Sequence, residues 1–234
     1  MALFFVDLAV VSTGVSDAWE RDFLVWLQAL RSAPLDRIFW AIAETGGVLR
    51  TIPIAVAIMY FLLTRRRLDA ITIFCAAVIA QLSRYAITWI VQRPRPDLPD
   101  VSTLPAGLGS GTNAGFPSGH AYGSAVAYGL LAVWLWRAGH RIPAAFLVGW
   151  IALISTSRLY AGVHYPTDVL ASLCLGVAFI AATVLVYQHF QRERRNEQSE
   201  PAGLAIETLN SPAVARIDKL STGESFQRFT QQKG

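Results

Sequence analysis

Between residues 157 and 168 the chain reads Ser-Arg-Leu-Tyr-Ala-Gly-Val-His-Tyr-Pro-Thr-Asp, which gathers an arginine, a histidine and a carboxylate at the junction of two strongly apolar segments. His164 and Asp168 are four residues apart. A helix that starts at about Tyr165 puts the carboxylate one turn from the imidazole, where it can hold one ring nitrogen. Pro166 favours such a start, because a proline in the first turn gives up only an N–H that would have had no partner. The other ring nitrogen is then unprotonated and turned away from the helix, which is the arrangement of a nucleophile.

A second group of chemistry-bearing residues lies upstream. The stretch 92–118 carries Arg93, Pro94, Arg95 and Pro96, continues through a Gly/Pro-rich segment and closes with Phe116-Pro117-Ser118-Gly119-His120 at the mouth of an apolar helix. Loops of this length inside compact proteins are usually functional. Ser118 is a natural N-cap residue, so the N–H groups of Gly119 and His120 point out of the helix with the positive end of its dipole. That end is an anion site.

The elements that must position these residues are membrane helices. Of the 234 residues, 53% are hydrophobic and 15% charged, and the mean hydropathy of +0.41 is too high for an ordinary soluble domain. The net charge of +4 is modest, and nothing suggests a nucleic-acid partner. Cys75 and Cys174 lie in separate apolar runs without metal-ligand spacing and read as packing residues. Residues 1–12 are apolar but shorter than the ~20 residues a span requires, and no cleavage site marks a signal peptide. Residues 17–30 set Trp19, Phe23, Leu24, Trp26, Leu27 and Leu30 at helical spacing against Glu20, Arg21 and Asp22, which predicts an amphipathic helix in the membrane interface.

Apolar spans follow at 35–63, with a soft point at Gly46-Gly47, and at 68–91, 118–136, 142–156 and 165–190. The basic clusters 65–67, 137–141 and 192–195 then fall on one side, which the positive-inside rule makes cytoplasmic. The expected fold is all-α: an integral membrane helical bundle of about five transmembrane helices with an N-terminal amphipathic interfacial helix. Its parts are an interfacial segment 1–34, a transmembrane domain 35–190 and a polar, disordered cytoplasmic tail 191–234. In this topology Arg95, Ser118-Gly119-His120 and Arg158-His164-Asp168 share the outer face of the cytoplasmic membrane.

The runs Arg93-Pro-Arg-Pro96, Pro117-Ser-Gly-His120 and Ser157-Arg-x5-His164-x3-Asp168 resemble the three signature motifs of the type 2 phosphatidic acid phosphatase family, membrane lipid phosphatases related to vanadium haloperoxidases. The resemblance covers roughly residues 35–190, and three motifs in register are far more specific than any one. It implies that His164 forms a phosphohistidine, that Asp168 orients it and that His120 protonates the leaving group. It implies too that Arg95, Arg158, Ser118 and Gly119 hold the phosphoryl oxygens. Guanidinium forks and backbone N–H groups suit the charge that a phosphoryl group in flight spreads over three oxygens.

One position departs from the family pattern. The family's first motif usually begins with a lysine seven residues before its motif arginine, a place that Thr88 occupies here, and no lysine precedes Lys219. Arg84 lies one turn before Thr88 within a span, where a charge is costly enough to have a purpose. Either Arg84 reaches the phosphate site, directly or through Thr88, or it pairs with polar groups of a neighbouring helix. Arg93 reads as meeting headgroups or solvent, Tyr160 and Gly162 as shaping a turn, and Gly123, Ser124, Ala125, Ala127 and Gly129 as close helix packing.

The expected activity is therefore metal-independent hydrolysis of a lipid phosphate or diphosphate, with no cofactor. Its partners are the membrane and a phospholipid or polyprenyl diphosphate substrate. Undecaprenyl diphosphate is the first expectation, because an outward-facing site suits carrier-lipid recycling; phosphatidylglycerophosphate, phosphatidic acid and lipid A are the alternatives. Two other classes remain open: a metalloenzyme that uses His120, His164 and Asp168 as ligands, and a non-catalytic lipid-binding or transport protein on the same scaffold.

Overall fold

The structure, a computed structural model, describes residues 17–98 and 114–209. The apolar stretch 1–12, most of the Gly/Pro-rich loop and the tail beyond 209 fall outside these residues. The described helices are α1 (Asp17–Gln28), α2 (Ala33–Gly46), α3 (Thr51–Leu63), α4 (Arg67–Val91), α5 (Gly119–Arg137), α6 (Arg141–Tyr160) and α7 (Pro166–Leu209), with a 3₁₀ turn at Val48–Arg50 between α2 and α3. Two compact units divide the chain, 1–184 and 185–234.

In the first unit α5 is the central helix. It buries small and aromatic residues along its length, including Ala121, Tyr122, Ala125, Tyr128 and Trp134. It packs most extensively on α6, and α2 and α4 also lie against it. Close approach explains the run of small residues: a side chain at Gly129 would collide with Ile180 of α7. The outer faces of the other helices are apolar and exposed, as with Ile71, Phe74, Ile79 and Trp89 on α4 and Phe146 and Val148 on α6. A lipid-facing surface has this character, because hydrocarbon offers backbone and polar groups nothing to bond.

The helices Arg67–Val91, Arg141–Tyr160 and Pro166–Glu197 are long and apolar enough to cross a membrane, and Ala33–Gly46 with Val48–Leu63 forms a fourth candidate span bent by 47°. The bend falls at the Gly46-Gly47 soft point. It is held by polar contacts within the bundle: Tyr128 Oη donates to the Thr45 carbonyl at 2.6 Å and Trp150 Nε1 to Thr45 Oγ1 at 3.0 Å. At the basic end, Asp69 pairs with Arg66 at 3.1 Å and accepts Trp134 Nε1 at 2.6 Å, which sets α4 against α5.

Two expectations need correction. In α1 the inward stripe is Glu20, Leu24, Leu27 and Gln28, at i, i+4, i+7 and i+8, while Trp19 and Trp26 are exposed. Glu20 therefore belongs to the packed side and not to a solvated polar face, because it meets charged and polar partners from distant parts of the chain. The last helix also does not end near 190. In the second unit, residues 185–209 remain helical, and His189 Nε2 lies 3.1 Å from Glu193 Oε1 one turn away. The expected disordered tail from 191 is therefore helical as far as Leu209, because Arg, Glu and Gln are good helix formers and a polar composition does not by itself exclude a helix.

Candidate active site

The first motif is positioned by the end of α4. Gln92 adopts a left-handed conformation (φ 51°) and turns the chain out of the helix. The Gly115 N–H then donates to the Arg93 carbonyl at 2.6 Å, and Pro94 bridges Ala114. Residues 93–94 and 114–115 are thus clipped together, which brings Arg93 and Arg95 beside residues 116–120. Phe116, fully buried, packs with Ala171, Ile87, Val91 and Leu175 and fastens this junction to α4 and α7. The backbone at Gly115 packs closely on both motifs, since a Cβ there would stand 3.3 Å from Asp168 Oδ2 and 3.4 Å from Arg95 Cγ.

Arg95 donates to the Val163 carbonyl at 3.2 Å, across to the turn that carries His164. Burial lowers its pKa against the pull of Asp168, and Arg84 adds repulsion. A buried cation in such surroundings gains from an incoming anion.

The second motif begins α5. Ser118 is fully buried in an extended conformation at the N-cap, and its hydroxyl makes no capping bond. Gly119 lies against Arg84: a Cβ on Gly119 would meet Arg84 Nη1 at 3.1 Å and Cζ at 3.3 Å. The Arg84 guanidinium thus stands at the N-terminal end of α5, and it also lies over the Tyr85 ring at 4.3 Å. The His120 ring sits under the bend between α2 and α3, where a side chain at Gly47 would approach its Nε2 to 3.2 Å.

The third motif occupies the turn between α6 and α7. Arg158 is 1% exposed at the end of α6, and Gly162, with φ 66°, reverses the chain in a conformation that side chains disfavour. His164 is buried, with Nδ1 3.7 Å from Asp168 Oδ2, a charge contact longer than a hydrogen bond. Burial lowers the His164 pKa to about 4; Asp168 opposes the shift, while Arg158 and Arg95 reinforce it. The imidazole is therefore neutral at physiological pH. Helix α7 starts at Pro166, one residue past the expected point, and Asp168 Oδ2 reaches back to accept the Tyr165 N–H at 2.9 Å, half of a capping box.

Arg93 overturns its expected place among headgroups or solvent. It is buried and donates to Asp168 Oδ1 at 2.6 Å, Thr167 Oγ1 at 2.8 Å and Glu20 Oε2 at 2.7 Å. Burial works against its charge, but Asp168 and Glu20 outweigh that cost and raise its pKa. Sequence periodicity could not find this contact, because the partners lie 73 and 75 residues away.

Arg50 was also missed. It donates to the Gly46 and Gly47 carbonyls at 2.7 and 2.9 Å and to Gln81 Oε1 at 3.1 Å, and its guanidinium lies against Gly123, one turn along α5 from Gly119. The signal was available, since Arg50, like Arg84, interrupts an apolar run. From Arg50, Gln81 and Gly123 a cavity of about 560 Å³ runs between α3, α4 and α5 past Ile58, Phe74 and Leu130.

Buried polar atoms without a hydrogen-bond partner include Ser118 Oγ, Thr88 Oγ1 and His164 Nδ1. Buried polar groups are nearly always paired; the His164 Nδ1 faces Asp168 beyond hydrogen-bond distance, whereas the Ser118 and Thr88 hydroxyls are buried at the second motif and at the departing position without a partner. Among the described residues no three His, Cys, Asp or Glu side chains are grouped to share a metal ion.

Comparison with known proteins accords with this geometry. The model of the PAP2 superfamily matches residues 68–192. The chain is 27% identical over 185 residues to phosphatidylglycerophosphatase B of Bacillus subtilis, covering 75% of this chain and 87% of that protein. It is 35% identical over 104 residues to decaprenylphosphoryl-5-phosphoribose phosphatase of Mycolicibacterium smegmatis, 44% of this chain and 52% of the relative. The fold is similar to the crystal structure of a transmembrane PAP2 type phosphatidylglycerolphosphate phosphatase from Bacillus subtilis, with a TM-score of 0.69 at 21% identity over 81% of this chain and 92% of that one. Aquifex aeolicus LpxE gives a TM-score of 0.53 at 20% identity over 70% and 93%.

Proposed function

This chain belongs to the PAP2 superfamily and is a membrane-embedded lipid phosphatase, and we propose that it works through a phosphohistidine on His164 and acts on undecaprenyl diphosphate. The observation that carries the mechanism is the buried, neutral His164, with Asp168 near Nδ1 and Arg95 and Arg158 as neighbouring cations. The carboxylate side of the ring leaves Nε2 to attack phosphorus. The bond from phosphorus to the lipid oxygen breaks as His120 donates a proton to that oxygen. Water then attacks the phosphohistidine, gives its proton to His120 and releases inorganic phosphate by cleavage of the P–N bond. Arg95, Arg158, Ser118 and the Gly119 N–H hold the equatorial oxygens, and Arg84 with Thr88 takes the place of the family lysine.

A diphosphate substrate is supported by the succession of Arg84 at Gly119 and Arg50 at Gly123, which offers charge for the phosphate that stays on the lipid. The apolar cavity beyond Arg50 suits a long hydrocarbon chain. A polyprenyl chain in particular is favoured by the similarity to a phosphatase named for a decaprenyl lipid. Phosphatidylglycerophosphate is the second reading, favoured by the similarity to phosphatidylglycerophosphatase B. The basic clusters argue for a site on the outer face of the cytoplasmic membrane.

The test is phosphate release by the purified protein from undecaprenyl diphosphate, phosphatidylglycerophosphate, phosphatidic acid and lipid A, with and without EDTA. Fastest turnover of undecaprenyl diphosphate, resistant to EDTA, is expected. Preference for another lipid overturns the substrate, and dependence on an added divalent metal overturns the mechanism.

A further inference from the structure

Glu20 is a fully buried carboxylate on α1, outside the stretch 68–192 that the family model matches. A buried charge is expensive unless it is paired and its lone pairs are satisfied. Both conditions are met here by residues next to the candidate active site. Oε1 accepts the Thr167 N–H at 2.8 Å and Thr167 Oγ1 at 2.6 Å, which places a negative charge at the first turn of α7, where the helix dipole favours it. Oε2 pairs with Arg93 at 2.7 Å. Arg93 in turn spans to Asp168 Oδ1 at 2.6 Å, stacks on the Tyr165 ring at 4.2 Å and donates to Thr167 Oγ1. Four residues from three parts of the chain, Glu20, Arg93, Thr167 and Asp168, thus form one closed polar network with little exposure.

We propose that Glu20 is a positioning residue of the phosphatase site, which through Arg93 and the first turn of α7 holds Asp168 in the orientation that faces His164. The geometry gives Asp168 two anchors. Its Oδ2 is tied locally to the Tyr165 N–H, and its Oδ1 is tied to Arg93. Without Glu20, Arg93 keeps one carboxylate instead of two, and Thr167 loses its acceptor. Asp168 is then drawn toward the unshared guanidinium and away from the imidazole. The side chains whose charges act on His164 are Asp168, Arg158 and Arg95; Glu20 acts on it only through Arg93 and Asp168. The helix α1 thereby becomes part of the catalytic apparatus and not merely a membrane-surface element.

The inference rests on His164 being the nucleophile. It is tested with the full chain in detergent, by pH profiles of kcat and kcat/KM for E20Q, for the apolar replacement of the pair E20L/R93M, and for H164A. Turnover is counted per folded molecule. E20Q is expected to lower kcat by about 10²-fold, the scale of a small misplacement of reacting groups, with KM within about two-fold. It should also move the acid limb of kcat/KM to lower pH, since the net positive charge around His164 rises. E20L/R93M should fold, because a buried ion pair can be exchanged for apolar packing, yet lose kcat similarly. Wild-type kcat and an unmoved acid limb in either folded variant overturn the proposal, as does failure of both to give folded protein, which would assign Glu20 to stability alone. Residual turnover in H164A would instead sink the phosphohistidine reading. An inactive H164A beside a fully active E20Q would sink only the role of Glu20.

Discussion

The guanidinium of Arg84 lies against Gly119, close enough that a Cβ on the glycine would stand 3.1 Å from Arg84 Nη1. Arg84 belongs to α4, and Gly119 is the first residue of α5. The contact puts a cation at the helix end whose N–H groups are available for an anion. Thr88, where the family keeps a lysine, lies one turn further along α4, buried and with its hydroxyl unpaired.

If Arg84 supplies the charge of the absent lysine, Arg84→Ala lowers turnover strongly at unchanged thermal stability, and Thr88→Lys in that background restores part of the rate. Turnover per folded molecule, measured beside melting in detergent, decides the matter. Unchanged specific activity in well-folded Arg84→Ala protein, or a loss of activity that only tracks loss of stability, ends the proposal.

His164→Ala is expected to abolish turnover on every substrate. His120→Ala is expected to cost ~10²- to 10⁴-fold on natural lipid phosphates but far less on aryl phosphates, whose leaving groups need no proton. Equal losses on both substrate types would count against His120 as the acid.

The pH dependence follows from the burial of His164. In the proposed mechanism the attacking form is the neutral imidazole, and burial lowers the pKa to about 4 from an ordinary 6.5, with Asp168 opposing and Arg158 and Arg95 reinforcing the shift. The free enzyme therefore keeps its nucleophile as pH falls through 6.5, and kcat/KM declines only as pH passes through about 4. Asp168→Asn removes the charge that favours the imidazolium, so its acid limb should move lower still. Titration of the substrate phosphate would not move with that substitution, so a limb identical in both proteins would refute the assignment.

Vanadate is expected to inhibit by occupying the phosphoryl position beside His164, competitively with lipid. Noncompetitive inhibition, or full inhibition of an enzyme lacking Arg95 and Arg158, would point to a different binding place. Charge stabilisation by fixed guanidinium groups is the physical basis of the expected loss.

Much of this protein was legible in its residues. Hydropathy and helical periodicity marked the helices, because a bilayer demands long apolar runs with every backbone group bonded internally. The three motifs stood out because charged and histidine side chains at the ends of such runs are rare. Even the bend at Gly46-Gly47 and the start of α7 beside Pro166 were visible, since both depend on local backbone chemistry. The tertiary structure alone decided the partners. From neighbours within a helical turn, Glu20 reads as a member of a solvated face and Arg93 as a headgroup contact. Their burial comes from packing α1 against the α6–α7 turn, where two costly charges become tolerable only together. Arg50 likewise acquired its place when the bent span brought it against Gly123. A local pattern records how a segment meets its solvent, whereas a buried ion pair depends on which distant segment arrives opposite it.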